Sequence, residues 1–335
     1  MTTPASSSTT ATATAATASV SPSRAANAAR LRGIVPPLVT PLSAPDTLDV
    51  PGLERLVEHI LGGGVHGLFL LGTTGEAPSL GYRLRQELIT RACRLVRGRA
   101  PVLVGITDTA FTESLNVARH AAEAGASALV LSAPYYHPAA QPELGEYIAH
   151  LAPRLPLPVF LYNMPAMTKT VFGLDTLRHA LDIPNVIGLK DSGGDLAYYK
   201  DALAIARQRP DWSVLIGPEA LLQQSLALGG DGGVSGGANL CPRLFVDLFN
   251  AHEAGDVALG AKLQAQVKAL DQLYRVGRHA SSIVKGLKCA LSLRGICDDA
   301  LAEPLARFAA PERALVENLL ATTLAALPLP PAARG

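Results

Sequence analysis

The amino-acid sequence predicts an α/β protein built as a (β/α)8 TIM barrel with a C-terminal helical appendage. Between residues 33 and 254, eight short apolar runs alternate with stretches whose apolar residues recur at helical spacing. Strands that alternate with helices imply a parallel sheet, and eight such units favour a closed barrel over an open sheet. An open, doubly wound sheet usually has a Gly-rich turn after its first strand, and GIVPPLVTPL at 33–42 is not one.

Each predicted strand is a short run rich in apolar residues. The runs are Gly33–Thr40, Gly67–Leu71, Val102–Gly105, Ala128–Ser132, Val159–Tyr162, Val186–Lys190, Ser213–Gly217 and Gly232–Ser235. The helix after each strand shows apolar residues three and four positions apart, as Leu53, Leu56, Val57 and Ile60 do in the first. The helices are predicted at Val50–Leu61, Tyr82–Val96, Glu113–Ala124, Pro142–Leu151, Leu174–Leu181, Leu196–Arg207, Ala220–Leu228 and Pro242–Ala254.

The chain divides into four predicted segments. Residues 1–28 are almost entirely Ala, Thr and Ser, so they lack a core-forming pattern and are predicted to be a disordered tail. Residues 29–255 form the barrel, and residues 327–335 form a second tail. Residues 256–326 form a helical region with no strand-like run. Its three helical patterns are Asp256–Val276, Ser282–Leu293 and Pro311–Leu324.

The composition argues against several classes of partner. The net charge is +1 over 335 residues, with no basic stripe, which argues against a nucleic-acid partner. No apolar run approaches the roughly 20 residues that cross a membrane. The four cysteines and eight histidines show no metal-ligating spacing, so neither a metal site nor a cofactor is predicted. Scattered, unpaired cysteines favour a reducing, cytoplasmic location.

A lysine ends the sixth predicted strand, at the end of the barrel where active sites lie. Lys190 would be partly desolvated there, and desolvation disfavours its charged form. A neutral lysine amine can attack a ketone and form a Schiff base. The alternative is a structural lysine that pairs with Asp191.

Hydroxyl groups lie at the ends of other predicted strands. The second strand runs into Gly72–Glu76, where Thr73, Thr74 and accessible main-chain N–H groups suit a carboxylate or phosphate. The alternative is an ordinary loop with capping threonines. Tyr162 ends the fifth strand and is either a proton relay or a packing residue, and the tyrosines after the fourth strand also suit packing. Together, a carboxylate site, an amine and a phenol are what Schiff-base chemistry on a 2-keto acid requires.

These motifs, in this order, resemble those of the dihydrodipicolinate synthase/N-acetylneuraminate lyase family, the class I pyruvate-dependent aldolases and lyases. The similarity spans about Leu31 to Gly295. Four family motifs have a counterpart in this chain. They are the GTTGE motif at Gly72–Glu76, the Tyr-Asn-x-Pro motif at Tyr162–Pro165, the Gly-x-Lys motif at Gly188–Lys190 and the turn into the eighth strand at Gly229–Ser235.

The resemblance implies a role for each matching residue. Lys190 would form the Schiff base, Tyr162 would shuttle the proton, and Thr73 and Thr74 would bind the carboxylate, with Thr74 also in the relay. Tyr136 would extend the relay across a dimer interface into the neighbour's site. The resemblance also implies a homotetramer built as a dimer of dimers. Further substrate contacts are expected from Gly217, Val234 and Met167.

One position departs from the synthase pattern. Dihydrodipicolinate synthases have an arginine two residues after Tyr-Asn-x-Pro, where it binds the second substrate's carboxylate, and this chain has Met167. A thioether cannot replace a bidentate cation whose charge-assisted hydrogen bonds are worth about 1.5–3 kcal/mol. The stretch Lys190–Asp195 is closer to the 4-hydroxy-2-oxoglutarate and 2-keto-3-deoxy sugar acid aldolases. Glu219 lies where sugar-binding members place a polar contact, or it is an ordinary acid in a helix's first turn.

The sequence therefore predicts a Schiff-base lyase or aldolase that cleaves a 4-hydroxy-2-keto acid or a 2-keto-3-deoxy sugar acid and releases a pyruvate-type product. A 4-hydroxy-tetrahydrodipicolinate synthase, which condenses pyruvate with aspartate semialdehyde, is one alternative. A dehydratase of keto-deoxy sugar acids is another. A catalytically idle family member that only binds a keto acid is the third.

Overall fold

The computed structural model of the chain describes residues 30–331. The tail predicted at 1–28 and the last four residues therefore lie outside the described part. Ten strands are present within it. They are β1 (Gly33–Ile34), β2 (Leu42–Ala44), β3 (Thr47–Leu48), β4 (Leu68–Leu70), β5 (Val102–Gly105), β6 (Ala128–Ser132), β7 (Val159–Asn163), β8 (Val186–Asp191), β9 (Ser213–Ile216) and β10 (Gly232–Gly233).

Eight of these strands form one parallel sheet in the order β1-β10-β9-β8-β7-β6-β5-β4. Its two edges meet, since a parallel bridge joins Pro37 to Phe69. Across that seam the Leu38 N–H donates to the Phe69 carbonyl at 2.8 Å, and the Phe69 N–H donates to the Pro36 carbonyl at 2.9 Å. The predicted barrel is thus confirmed. The remaining strands, β2 and β3, form a separate antiparallel hairpin.

Thirteen α-helices lie within the described residues. They are α1 (Val50–Gly62), α2 (Tyr82–Val96), α3 (Phe111–Glu123), α4 (Gln141–Leu151), α5 (Pro165–Thr168), α6 (Leu174–Leu181), α7 (Leu196–Ala206), α8 (Leu222–Ala227), α9 (Pro242–Glu253), α10 (Val257–Ala269), α11 (Asp271–Arg275), α12 (Ser282–Leu293) and α13 (Ala310–Ala321). Across residues 30–331, no helix combines the length and the apolar character needed to span a membrane.

Apolar side chains fill two layers because successive residues of a strand face opposite sides of the sheet. A large cluster lies between the sheet and the helices and includes residues of the C-terminal helices, such as Leu287 and Leu291 of α12. A smaller cluster fills the barrel interior. Its buried members are Val35, Phe69, Leu103, Ala128, Val130, Phe160, Tyr162, Leu215 and Val234. Tyr162 therefore belongs to the interior layer, near the end where β7 stops.

Several element boundaries differ from the sequence predictions. The first strand is shorter than Gly33–Thr40 because Pro36 and Pro37 have no N–H to donate to a ladder. The helix predicted at Asp256–Val276 is divided between α10 and α11 at Leu270, whose N–H bonds to the Val267 carbonyl three residues back. That tighter turn ends the α-helical ladder. The hairpin β2–β3 and the short helix α5 were not predicted, and the boundary proposed at residue 255 remains a prediction.

Candidate active site

Lys190 lies inside the barrel, level with Tyr162 on the neighbouring strand. The two residues are register partners in the parallel pair β7–β8. The Lys190 Nζ is 3.7 Å from the centre of the Tyr162 ring and 5.1 Å from the centre of the Phe69 ring. Only 5% of Lys190 is exposed. Attraction to the two ring faces partly offsets the loss of hydration of a buried amine.

The Tyr162 phenol is more acidic than an ordinary tyrosine. Burial raises its pKa, but the nearby charge of Lys190 and hydrogen bonds with Thr73, Lys190 and Ser192 more than compensate, leaving the pKa of Tyr162 below its usual value. Its hydroxyl is 3.4 Å from Thr73 Oγ1. A buried phenol with a lowered pKa, beside an amine, is suited to moving protons.

The loop Gly72–Glu76 follows β4 at the same end of the barrel. It is bounded by two non-glycine residues in the left-handed region, Leu71 (φ 58°) and Glu76 (φ 59°). The N–H groups of Gly75 and Glu76 bond back to the carbonyls of Gly72 and Thr73. Among the described residues, the N–H groups of Thr73 and Thr74 donate to no main-chain or side-chain acceptor. These two donors and the threonine hydroxyls can bind an anion.

A cavity of about 270 Å³ opens beside Tyr162 and this loop. Three predicted residues line it, namely Thr73, Tyr162 and Met167, and 46% of Met167 is exposed. Lys190 and Thr74 do not line the cavity, although the Lys190 amine lies against the lining ring of Tyr162. The full lining is Phe69, Leu71, Gly72, Thr73, Ala77, Pro78, Gly105, Thr107, Val130, Ser132, Tyr135, Tyr162, Met167 and Thr168.

Gly217 and Val234, two further predicted contacts, follow β9 and β10, and neither residue is part of the cavity lining. Val234 is part of the interior apolar cluster, and its N–H donates to the Ile216 carbonyl at 2.8 Å. Gly217 follows β9, and its N–H donates to the Asp191 carbonyl at 2.7 Å. A Cβ at Gly217 would lie 2.0 Å from Ser192 Oγ, so a larger residue would require the Ser192 side chain to move.

The two tyrosines after β6 occupy different environments. Tyr136 is 87% exposed, has a left-handed backbone (φ 79°) and stacks edge to face on His137. It does not line the cavity of its own chain. Tyr135, which was not predicted as a site residue, does line the cavity, and burial raises the pKa of its phenol. The residue pattern does not distinguish the two, because they share one short loop between prolines, and only the family resemblance selected Tyr136.

Asn163 and Asp191, register partners one residue beyond Tyr162 and Lys190, were also missed. Both are buried, and Asn163 Nδ2 donates to Asp191 Oδ1 at 2.7 Å. The Gly193 N–H donates to the same oxygen at 3.1 Å. Burial raises the pKa of Asp191. The Asp191 carboxylate therefore bonds Asn163 and Gly193 and ties the two strand ends together, so the alternative of a structural Lys190–Asp191 pair is not what the structure contains.

Two other cavity hydroxyls, those of Thr107 and Ser132, could have been found from sequence. Ser132 is the last residue of β6, and Thr107 lies two residues beyond β5. The same rule of strand ends that selected Lys190 and Tyr162 applies to them. Thr168, by contrast, reaches the cavity through α5, a four-residue helix with no periodicity to detect.

Glu219 lies after β9, in the first turn of a 3₁₀ helix (Glu219–Leu221). Its carboxylate accepts hydrogen bonds from the Gly237 N–H at 2.6 Å and from the Tyr274 hydroxyl at 3.0 and 3.2 Å. Burial raises the pKa of Glu219 to about 7. Glu219 and Thr74 flank the same glycine, Gly236, whose Cβ position would lie 3.4 Å from Glu219 Oε1 and 3.8 Å from Thr74 Oγ1.

Comparisons of the sequence and of the structure with known proteins point to the same family. The family model for the dihydrodipicolinate synthetase family matches residues 30–323. A curated relative from Escherichia coli K12, "Probable 2-dehydro-3-deoxy-D-pentonate aldolase YjhH", is 32% identical over 258 residues, which are 76% of this chain and 86% of that protein.

Two solved structures are similar over most of both chains. Dihydrodipicolinate synthase from Bacteroides thetaiotaomicron has a TM-score of 0.85 and 49% sequence identity, covering 88% of this chain and 99% of that one. YagE from E. coli K12, solved in complex with pyruvate, has a TM-score of 0.82 and 32% identity, covering 87% and 97%. The curated name of YagE is that of an aldolase for 2-dehydro-3-deoxy-D-gluconate.

The raised pKa of Glu219 predicts a pH dependence of stability. The folded protein holds this proton more tightly than the unfolded chain, whose carboxyl titrates near 4.5. The contribution of Glu219 is therefore complete below about pH 4.5 and is lost as the pH rises through about 7. Relative to Glu219→Gln, the wild-type Tm should fall between about pH 5 and about pH 8.

Thermal unfolding of both proteins across that range checks this prediction. Glu54→Gln, at an exposed position of α1, is the matched control and should track the wild type at every pH. A Tm difference between wild type and Glu219→Gln that stays constant with pH would contradict the raised pKa.

Proposed function

The chain belongs to the dihydrodipicolinate synthetase family, and from that membership we propose that it is a class I lyase or aldolase in which Lys190 forms a Schiff base with a 2-keto acid. The membership makes it an aldolase or lyase of the pyruvate-dependent type. The observation that carries the mechanism is the pairing of Lys190 with Tyr162, with 3.7 Å between the amine and the ring centre.

The chemistry begins with attack of the Lys190 amine on the ketone carbon, which gives a carbinolamine. Loss of water then gives an iminium ion, and each step needs a proton to be moved. The Tyr162 phenol, with its lowered pKa, supplies and recovers that proton. The Tyr162 phenolate then takes the proton of the C4 hydroxyl, the bond between C3 and C4 breaks with its electron pair moving to the iminium, and an aldehyde leaves. Protonation of the resulting enamine and hydrolysis release the shorter 2-keto acid and the free amine.

The substrate carboxylate is assigned to the loop Gly72–Glu76. The unused N–H groups of Thr73 and Thr74 and the two hydroxyls provide donors for its oxygens. The 3.4 Å contact between Thr73 and Tyr162 connects this loop to the phenol. In this proposal Thr74 also belongs to the relay.

The part of the substrate beyond the ketone is proposed to be uncharged and hydroxylated. None of the cavity-lining residues carries a charge, while Thr107, Ser132, Tyr135 and Thr168 offer hydroxyls. Met167 lines the cavity where synthases place an arginine. These features favour a 4-hydroxy-2-keto acid or a 2-keto-3-deoxy sugar acid with a neutral end. The 49% identity to a protein described as dihydrodipicolinate synthase keeps the condensing synthase as the second candidate.

The assembly is proposed to be a homotetramer, a dimer of dimers, in which Tyr136 enters the neighbouring site. An 87% exposed tyrosine on a strained backbone supports this, because such strain persists only where it is compensated. A cytoplasmic location is also proposed, and the four free, buried cysteines are compatible with a reducing environment.

Reductive trapping tests the Schiff base directly. Incubation with pyruvate followed by borohydride should give a covalent adduct that peptide mass spectrometry locates on Lys190, because reduction makes the iminium linkage permanent. The variant Lys190→Met should give none. Lys169→Met, which removes an exposed lysine of a neighbouring loop, should label like the wild type. A folded wild type that yields no adduct would eliminate the mechanism.

Introducing a cation at the cavity tests the substrate assignment. Met167→Arg should raise kcat/KM for condensing pyruvate with aspartate semialdehyde by about tenfold, since a new charge-assisted hydrogen bond is worth roughly 1.5–3 kcal/mol. It should lower kcat/KM for neutral hydroxylated 2-keto acids. Val171→Arg places the same charge at a nearby exposed position and should change neither value. Efficient condensation by the wild type, or no gain in Met167→Arg, would contradict the assignment.

A further inference from the structure

A buried ion pair lies directly behind the loop assigned to the substrate carboxylate. Lys288 Nζ, from α12 of the C-terminal region, is 2.7 Å from Glu76 Oε1. The side chains are 0% and 1% exposed, and the two residues are 212 positions apart in the sequence. The chemistry proposed above uses neither residue.

Stability alone does not account for this pair. Removing two charges from water is energetically costly, and replacing a buried ion pair with apolar residues is often neutral or stabilising. A buried pair does fix geometry, however, because a buried charge is stabilised only while it stays within hydrogen-bond distance of its partner. What the pair fixes here is the position of Glu76, the last residue of the loop.

The loop needs such a restraint. Leu71 and Glu76 are both held in the left-handed region, a strained conformation for residues other than glycine that persists only when surrounding contacts impose it. Three contacts impose it here. Glu76 Oε1 accepts from Lys288, Glu76 Oε2 accepts from the Ala302 N–H at 2.8 Å, and the Gly75 carbonyl accepts from Thr40 Oγ1 at 2.7 Å. Two of the three come from the C-terminal region.

We propose that Lys288 is a positioning residue: through Glu76 it holds Gly72–Glu76 in the conformation that presents Thr73 and Thr74 to the substrate carboxylate. The C-terminal helical region thereby sets the affinity of the barrel for its keto acid. This inference rests on the proposed function, since it takes that loop to be the carboxylate site. It predicts an effect on substrate binding and little on the reaction once substrate is bound.

Binding and trapping measured side by side test the inference. Isothermal titration calorimetry gives the Kd for pyruvate, and borohydride labelling at increasing pyruvate gives the half-saturating concentration. Lys288→Met should raise both by about tenfold or more, because small misplacements of binding groups are costly. Labelling at saturating pyruvate should equal that of the wild type. Lys285→Met, one turn earlier on α12, is the matched control and should leave both values unchanged.

A second variant separates positioning from stability. Lys288→Met alone leaves the Glu76 carboxylate buried without its cation and can unfold the protein. The double variant Glu76→Gln/Lys288→Met has no unpaired charge and keeps an acceptor for the Ala302 N–H, so its Tm should lie near the wild-type value. Its Kd should still be raised about tenfold or more. A double variant with wild-type Tm and wild-type Kd would overturn the inference, because the pair would then serve stability only.

The outcomes for the wild type separate this inference from the proposed function. A wild type that binds pyruvate but is not trapped contradicts the Schiff base, while the Kd comparison still decides the role of Lys288. Trapping of the wild type, with equal Kd values for wild type and both variants, overturns the role of Lys288 and leaves the Schiff base intact. A wild type that neither binds nor is trapped overturns both.

Discussion

The parallel register between β7 and β8 is the constraint on which the rest of the site depends. It places Lys190 level with Tyr162, and the two-residue alternation of a strand turns both side chains into the barrel. A shift by one residue would instead direct Asp191 and Asn163 inward and the amine toward the helices. The Asn163–Asp191 hydrogen bond, formed on the opposite face, ties the two strands in this register. The acidity of the Tyr162 phenol is a direct consequence, because it depends on the charge of its strand neighbour.

Around this centre, the C-terminal helices contact the loops rather than only covering the barrel. Lys288 of α12 reaches Glu76, and Tyr274 of α11 reaches Glu219, so two loops on the catalytic face are bonded to the same helical region. Each contact places a carboxylate in a buried setting where its partners are few. Such contacts restrict each loop to one arrangement. The hydrogen-bond donors of the loop are then already in place when an anionic substrate binds or when charge develops during the reaction.

Part of the site could be predicted from sequence because it depends on which residues end each strand. A strand that ends on a lysine and another that ends on a tyrosine are visible in the residue pattern, and barrel topology brings strand ends together. The boundaries of the first strand were wrong because prolines interrupt a ladder that apolar character alone suggests. The pair of Glu76 and Lys288 had no sequence signal, since 212 positions separate them and packing alone joins them. The cavity contact of Tyr135 could not be predicted, because loop geometry rather than residue type decides which of the two adjacent tyrosines faces the cavity.

The central claim is that Lys190 binds the keto acid covalently while the Thr73–Thr74 loop holds its carboxylate. A crystal structure of the protein soaked in pyruvate tests both parts in one measurement. We expect continuous electron density between Lys190 Nζ and the former ketone carbon, with the carboxylate oxygens within hydrogen-bond distance of the Thr73 and Thr74 N–H groups. Pyruvate bound without a bond to Lys190, or bound away from this loop, would contradict the account.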